Sequence, residues 1–173
     1  MTDLFEKIQR MRLDMLCNMF SGVPVSPREF TADGDIEVIS LRDTDANFNF
    51  DADKLSCASV KVFENKFLRD GDVLIKARSH DFTKITIARA YKKPSQDRRV
   101  VAGPGFIFLR PSDSMLVKSE YLAWIINNMT GELSKLVSGS AILQLNIKPL
   151  TDLEIPIPNI EAQEKIIAMQ NEV

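Results

Sequence analysis

Carboxylates and a lysine in the first half of the 173-residue chain have the types found in a nuclease centre. Asp51 and Asp53 lie upstream of Glu64-Asn65-Lys66, and such residues hold a metal ion and activate water in metal-dependent nucleases. Chance alone gives a chain of this composition roughly one or two acid-x-Lys triplets, so the pattern has little specificity. The acids also fall in a polar stretch that is predicted to be a loop. Exposed surface is the better interpretation, and a nuclease is the remote alternative.

The chain carries no sequence motif of the other enzyme classes considered. There is no GxxxxGK[ST] loop, Gly103-Pro104-Gly105 lacks the third glycine and following helix of a dinucleotide fingerprint, and no serine lies in GxSxG. His80 is the only histidine, and Cys17 and Cys57 lack the spacing of metal ligands, which argues against zinc. These absences leave no sequence signal for a nucleotide cofactor, a zinc site or a serine hydrolase.

Charge is distributed unevenly along the chain. The net charge is −2, but residues 61–110 alone carry +7 and the remaining residues carry −9. A basic segment of this kind is typical of a surface that neutralises nucleic-acid phosphates. Within it, residues 92–99 are predicted to form a loop that combines lysine and arginine for phosphates with Gln96 and arginines for base edges. A solvated hairpin tip is the alternative, and charge by itself somewhat favours that alternative.

The hydrophobic pattern predicts the elements that must position these residues. Leu4, Ile8, Met11 and Met15 recur at helical spacing and predict a helix over residues 3–20, capped by Thr2. Short β-branched or aromatic runs predict strands near residues 36–41, 60–62, 73–75, 85–88, 100–101 and 106–109. The expected fold class is α/β (α+β), with a twisted, mostly antiparallel sheet and flanking helices.

Two helices are predicted in the last third of the chain. One begins near Ser119, with a break at Gly131, and the other follows an N-cap at Asn159 and runs to the end. Pro156 and Pro158 exclude a central strand just before the last helix, because proline cannot donate to a ladder. The last helix is expected to pair with the helix at 3–20 or with a second copy.

The chain has no sequence signal for a membrane. No apolar run approaches the roughly 20 residues that a spanning helix needs. Asp3 and Glu6 occupy the region where a secretory signal would be basic and then apolar. We therefore expect a cytoplasmic protein with no membrane partner.

Several separated motifs, taken in their order along the chain, resemble the specificity subunits of type I restriction-modification systems. They are Gly22-Val23-Pro24, Gly34-Asp35-Ile36 with Ser40-Leu41-Arg42-Asp43, Gly71-Asp72-Val73-Leu74-Ile75, Phe106-Ile107-Phe108-Leu109-Arg110-Pro111, Tyr121-Leu122, Gly139-Ser140-Ala141-Ile142-Leu143-Gln144-Leu145-Asn146, and residues 150–163 with Ile166-Ile167. Each motif is weak alone, but together they cover residues 22–173. The stretch from Lys76 to Thr83 lacks the glycine common in the family, so no individual contact is carried over.

The resemblance implies a fold and a role. It implies a target-recognition domain over residues 22–158, an N-terminal helix over 1–21 and the protruding start of a conserved helix over 159–173. Family members are non-catalytic subunits without a cofactor that direct a methyltransferase and endonuclease complex to double-stranded DNA, and their helices hold the methyltransferase subunits. The expected partners are therefore double-stranded DNA and methyltransferase subunits, with the restriction subunit as a further candidate. One domain implies a half-subunit, a stand-alone homologue or a piece of a longer chain. In the first case, two copies could form a homodimer through their terminal helices and read a palindromic site.

Candidate site residues follow from the basic loops and from the resemblance. The candidate DNA contacts are Lys76, Arg78, Ser79, His80, Lys84, Lys92, Lys93, Gln96, Arg98 and Arg99, of which about half are expected to make none. The candidate subunit-interface residues are Ile160, Ile166, Ile167 and Val173. Core packing is assigned to Ile142, Leu145, Leu150, Ile155 and Ile157.

The DNA-binding hypothesis makes a first testable claim. Replacing Lys92, Lys93, Arg98 and Arg99 with alanine is expected to weaken DNA binding and flatten its salt dependence.

The second hypothesis is an interaction module or decoy that binds methyltransferase subunits without reading DNA. Co-purification with a methyltransferase in the absence of any DNA preference would favour that alternative.

Overall fold

The computed structural model describes residues 8–173 and contains short strands around a few helices. The strands are β1 (Gln9–Arg12), β2 (Cys17–Ser21), β3 (Ile36–Ile39), β4 (Ser56–Ala58), β5 (Val73–Lys76), β6 (Arg78–Ser79), β7 (Ala88–Ala90), β8 (Val100–Ala102), β9 (Phe106–Pro111), β10 (Val137–Ser138), β11 (Leu143–Leu145) and β12 (Glu154–Ile157). The helices are α1 (Leu13–Leu16), α2 (Ser119–Asn128), α3 (Thr130–Ser134), α4 (Ile147–Leu150) and α5 (Ile160–Asn171). The mixed fold class agrees with the prediction.

A four-stranded antiparallel sheet, in the order β2-β9-β5-β7, forms the centre of the fold. Successive strand residues point to opposite faces, so Val73 and Ile75 enter the core beside α2, while Leu74 enters a second core on the other face. Strand β9 alternates in the same way, with Ile107 on the α2 side and Phe108 opposite. Burial on both faces explains why these strands are continuous apolar runs.

Three smaller sheets surround the central one. Strand β3 pairs antiparallel with β4 and parallel with β8, β10-β11-β6 is fully antiparallel, and β1 pairs with β12. The expected single sheet is thus divided into four, all antiparallel except the β3–β8 pair. Strand β12 has β1 as its only ladder partner among the described residues, as the prolines at 156 and 158 predicted.

The helix predicted over residues 3–20 is wrong for the described part of that segment. Residues 8–21 contain β1, the single turn α1 and β2, while residues 1–7, with the proposed cap Thr2, lie outside the described residues. Strand β2 pairs with β9, more than 80 residues away in sequence. Local periodicity contains no information about such a distant partner, so tertiary pairing overrode it. The proposed pairing of the last helix with a helix at 3–20 is wrong for the same reason, and α5 packs against α2 instead.

Some smaller predictions also differ from the structure. Val60 and Val62 lie outside any strand and pack half-buried against a small core that contains Phe67. Ser119 is the first residue of α2, whose N-cap is Lys118, and its hydroxyl donates to the carbonyl of Gly71. The domain boundaries at residues 21 and 158 stay predictions.

Two of the motifs meet in a buried ion pair. The Asp72 carboxylate, which is 1% exposed, accepts two hydrogen bonds of 2.8 Å each from the Arg110 guanidinium. The backbone N–H of Arg69 also donates to Asp72, and Arg110 donates to the carbonyl oxygen of Phe67. Asp72 immediately precedes β5 and Arg110 lies near the end of β9, so the pair holds the turn before β5 against β9.

Gln163 fixes the start of α5 to the body of the protein. The fully buried side chain accepts a hydrogen bond from the backbone N–H of Lys118 and donates to the carbonyl oxygens of Leu116 and Pro158, each at 2.9 Å. Asn159 caps the helix as predicted, because its side chain accepts from the N–H of Ala162. Tyr121 donates to the carbonyl of Pro156 at 2.6 Å, and burial raises the pKa of this tyrosine to about 12.

Replacing Gln163 with leucine should lower the free energy of unfolding by about 2–3 kcal/mol. Leucine fills a similar volume but leaves one N–H and two carbonyl groups without their partner. Gln170→Leu, on the exposed end of the same helix, is the matched control and should change stability by less than about 0.5 kcal/mol. Equal denaturant midpoints for the two variants would contradict this role of Gln163.

None of the helices in the described residues 8–173 is both long and apolar enough to cross a membrane.

Candidate nucleic-acid interface

The sheet β10-β11-β6 presents an exposed polar face. Along β11, Leu143 and Leu145 are 3% and 1% exposed, whereas Gln144 between them is exposed, so the strand has one buried and one open side. Gln144 lies opposite Arg78 on one neighbouring strand and opposite Ser138 on the other. Directly paired residues point to the same face of a sheet, so these three exposed side chains form a row.

Three more side chains belong to this region, which we call the outer face. Ile142 and Asn146 lie just outside the two ends of β11, two residues on either side of Gln144, and His80 comes directly after β6. All three side chains are exposed. Ile142 is 49% exposed, and Gln144 donates to the amide oxygen of Asn146 at 3.3 Å. The outer face is defined by Arg78, His80, Ser138, Ile142, Gln144 and Asn146. The assignment of Ile142 to the core is wrong, since the residue lies at the hairpin tip between β10 and β11.

Two features hold this hairpin tip in place. Gly139 has φ of +100°, and a Cβ atom at this position would lie 2.0 Å from the carbonyl oxygen of Ile142. His80 Nδ1 lies 3.1 Å from the carbonyl oxygen of Ala141, a hydrogen bond in which the ring nitrogen donates. That bond connects the tip to the segment after β6 and leaves Nε2 of the histidine for another partner.

Two clefts border the outer face. One, of about 460 Å³, is lined by Arg78, Gln144 and Asn146 together with Ser21 and Pro104. The other, of about 360 Å³, brings together five of the predicted DNA contacts, and these are Lys76, Arg78, Ser79, His80 and Lys84. Arg42 also lines the second cleft, so its rim is basic.

Lys76 and Lys84 differ in their availability within that cleft. Lys76 is 6% exposed and donates to the carbonyl oxygen of Asp45 at 2.6 Å, and burial lowers the pKa of its ammonium. Lys84 is exposed and lies 3.8 Å from the Asp81 carboxylate, a surface pair that salt screens. The N–H of Thr83 donates to Asp81 and lowers the pKa of that carboxyl.

The remaining predicted contacts lie at the other end of the β5–β7 pair. Val73 pairs with Ala90 and Ile75 with Ala88, so residues 77–87 leave one end of this ladder and residues 92–99 leave the opposite end. In the second loop, Lys92, Gln96 and Arg99 are exposed, and the Lys93 N–H donates to Asp70 at 2.9 Å. The structure therefore divides the predicted contacts into two groups.

Arg98 is already bound within the protein. Its guanidinium makes two hydrogen bonds with the Glu37 carboxylate, one of them 2.8 Å long, and it also contacts the carbonyl of Ala52. The bonds with Glu37 raise the pKa of Arg98 above its usual value. Arg99 instead lies over the ring of Phe67, 4.3 Å from its centroid, and its charge stays exposed.

The nuclease-like residues are not brought together as a metal centre. Asp53 pairs with Arg98 at 3.6 Å, Asp51 pairs with Lys54 at 3.3 Å, and the Lys66 ammonium donates to the carbonyl oxygen of Ser21 at 2.7 Å. Within residues 8–173, no group of three or more His, Cys, Asp and Glu side chains is placed to hold a metal ion.

The candidate interface residues of α5 are only partly exposed. Ile166 and Ile167 are half-buried against the main core, Ile160 is half-buried, and Val173 lies beyond the helix in solvent. The open surface of the helix is polar apart from Ala168 and Met169, and Met169 is 65% exposed.

Sequence reasoning missed several members of this interface. Ser138, Gln144, Asn146 and Arg42 were not among the predicted contacts, although the alternation of apolar and polar residues from 142 to 146 was a signal. That alternation identifies a strand with one open face, but the pairing with β6, 64 or more residues earlier, was needed to place it beside Arg78.

The fold resembles solved chains of type I restriction-modification systems. The S subunit from M. genitalium is 16% identical, with a TM-score of 0.65 over 98% of this chain and 40% of that one. The HsdS subunit from Thermoanaerobacter tengcongensis is 22% identical, with a TM-score of 0.70 over 99% and 38%. A chain from a structure described as the basis of "complex assembly" and "conformational transition of the type I R-M system" is 22% identical, with a TM-score of 0.73 over 99% and 39%. At these identities the likeness shows the fold, and this chain spans about two fifths of each of them.

Sequence comparisons gave one match and one negative result. The comparison with curated proteins found no match. Residues 6–173 match the family model described as the type I restriction modification DNA specificity domain. Because that match covers nearly the whole chain, the protein belongs to the family of type I restriction modification DNA specificity domains.

Proposed function

We propose that this chain is a non-catalytic target-recognition domain that gives a type I restriction-modification complex its DNA sequence preference. The outer face carries the proposal. It combines one arginine, one glutamine and one serine on the sheet β10-β11-β6 with one histidine and one asparagine just beyond the strand ends, and the middle strand buries Leu143 and Leu145 on its other side. Arginine, glutamine and asparagine are the side chains that make bidentate contacts with base edges.

The scaffold beneath the outer face suits a reader of DNA sequence. Strand β6 follows directly on β5 of the central sheet, and the N–H of Leu145 donates to the carbonyl of Ala77 at 2.8 Å. Side chains that contact bases keep their positions better on short strands attached to a buried sheet than on free loops. Basic residues on the cleft rim, Arg42 and Lys84, supply phosphate contacts that orient the duplex.

The partners proposed with this role are double-stranded DNA and methyltransferase subunits, which α5 would contact. Met169 and the polar end of α5 are exposed, while Ala162 and Gln163 anchor its start, so the helix offers a fixed surface to a partner. Contact with a restriction subunit and a homodimer through α5 of two copies belong to the same proposal. A decoy that occupies methyltransferase subunits without reading DNA is the alternative.

Replacing Arg78 with alanine should weaken binding to a duplex enriched by this protein by about tenfold, since one base or phosphate contact is worth about 1–3 kcal/mol. Arg10→Ala is the matched control, because Arg10 is an exposed arginine on β1, where it pairs with Glu154. Fluorescence anisotropy at fixed salt measures both variants. Equal losses in the two variants would indicate nonspecific charge effects and count against the outer face.

A further inference from the structure

The hairpin β10–β11 has the shape and side chains of an element that reads A·T base pairs. Its two antiparallel strands belong to the three-stranded sheet β10-β11-β6, and its tip, residues 139–142, lies beyond the paired residues as the end of a two-stranded ribbon. The major groove of B-DNA, about 12 Å wide, admits a two-stranded ribbon. Its open side carries Gln144 and, two residues earlier, Ile142 at the tip. Neither residue is used by the scaffold, because the buried side of the same strand is made by Leu143 and Leu145.

The chemistry of these two side chains points to one kind of base pair. A glutamine amide makes a bidentate pair with adenine, because its N–H donates to N7 while its oxygen accepts from the N6 amino group, and an apolar side chain contacts the 5-methyl group of thymine. Residues two apart on a strand lie about 6.8 Å from each other, which equals about two base-pair steps of 3.4 Å. A ribbon along the groove would therefore present both side chains to base pairs within about two steps.

The surroundings of the ribbon supply the charge that a duplex needs. Arg78 lies directly across from Gln144, and His80 fixes the tip through its 3.1 Å contact with the Ala141 carbonyl. An exposed isoleucine costs solubility in a region that is otherwise polar, and its position beside cationic groups fits DNA better than an apolar protein partner.

We propose that Gln144 and Ile142 determine specificity by reading adenine and thymine in the major groove, at A·T pairs within about two steps of each other. This inference rests on the proposed function, since it names which bases the outer face reads.

Base-analogue substitution combined with variants tests the inference. A duplex is first enriched from random DNA by the wild-type protein in complex with its methyltransferase subunit, and each thymine is then replaced by deoxyuridine and each adenine by 7-deazaadenine. At one thymine, loss of the methyl should reduce wild-type affinity about fourfold and should have no effect on Ile142→Ala. At one adenine, loss of N7 should reduce wild-type affinity roughly 5- to 100-fold and should have no effect on Gln144→Ala.

Controls separate the possible failures. Both substituted residues are exposed, so unchanged melting temperatures confirm folding, and Met115→Ala, which removes a 77% exposed apolar side chain elsewhere, should keep both analogue penalties. One outcome is that the wild-type protein binds its duplex and every base analogue that weakens wild-type binding also weakens binding of both variants to the same extent. That result overturns the A·T inference and leaves the proposed function standing. If no duplex is enriched at all, the proposed function fails and takes this inference with it.

Discussion

Replacing Asp72 with alanine should lower the free energy of unfolding by about 3–5 kcal/mol. The carboxylate is 1% exposed and binds the Arg110 guanidinium through two hydrogen bonds and the Arg69 N–H through a third. Alanine would leave the arginine, whose side chain is 13% exposed, as an unpaired charge in a mostly buried position. Removing one member of such a pair costs far more than the pair contributes, because the desolvated partner remains.

Urea denaturation of the two proteins measures this difference. Asp33→Ala makes the same chemical change at an exposed position and should stay within about 0.5 kcal/mol of the wild-type protein. A loss below about 1 kcal/mol for Asp72→Ala would show that Arg110 finds water or another acceptor. In that case the pair would not be what holds the turn before β5 against β9.

Replacing Arg78, His80 and Lys84 together with alanine should weaken DNA binding by roughly 100-fold or more. All three side chains are exposed and line one cleft. Each lost phosphate contact should also reduce the slope of log affinity against log salt by about 0.9, so a salt titration detects the loss independently of affinity.

A charge-matched variant at the opposite end of the β5–β7 ladder separates the two groups of predicted contacts. The double variant Lys92→Ala with Lys93→Ala also removes two permanent positive charges, as many as the triple variant removes at Arg78 and Lys84. We expect it to lose less than tenfold in DNA affinity, with the loss concentrated at low salt. A larger loss in this double variant than in the triple one would place the main DNA contact on residues 92–99. The four-residue variant that includes Arg98 is less informative, because it also breaks the pair with Glu37.

The sequence predicted the central strands well because their signal is local. Two apolar runs, Val73 to Ile75 and Phe106 to Leu109, are bounded by turn signals in the sequence. Both form strands that are buried on two faces. Asn159 was identified as a helix cap from its type and position alone, since a cap is satisfied within three residues. The motifs that carried the family resemblance proved to hold the scaffold, as Asp72 with Arg110 and Gln163 with Pro158 illustrate.

Features that depend on distant pairing could not be predicted. The segment 8–21 has helical spacing, but β1 pairs with β12 and β2 with β9, and no local pattern reveals those partners. Ile142 looked like a core residue because isoleucine is usually buried, yet its place at a hairpin tip depends on the register of β10 with β11.

The net charge of residues 61–110 does not show which of their charges are available to a partner, and the structure does. The +7 of residues 61–110 includes arginines and lysines that the fold uses internally, among them Lys66, Lys76, Arg98 and Arg110. Those residues raise the count without offering charge to a partner. The cations that remain exposed at the outer face and its cleft are fewer, and they are the ones that the proposal assigns to DNA.

Enrichment of a defined sequence from random duplex DNA by the protein in complex with its methyltransferase subunit tests the central claim most directly. The account predicts a single enriched site for the wild-type protein, and its loss or broadening in Arg78→Ala and Gln144→Ala but not in Arg10→Ala. A stable complex with the methyltransferase subunit that enriches no sequence, in the wild-type protein as in the variants, would contradict the account and favour the decoy.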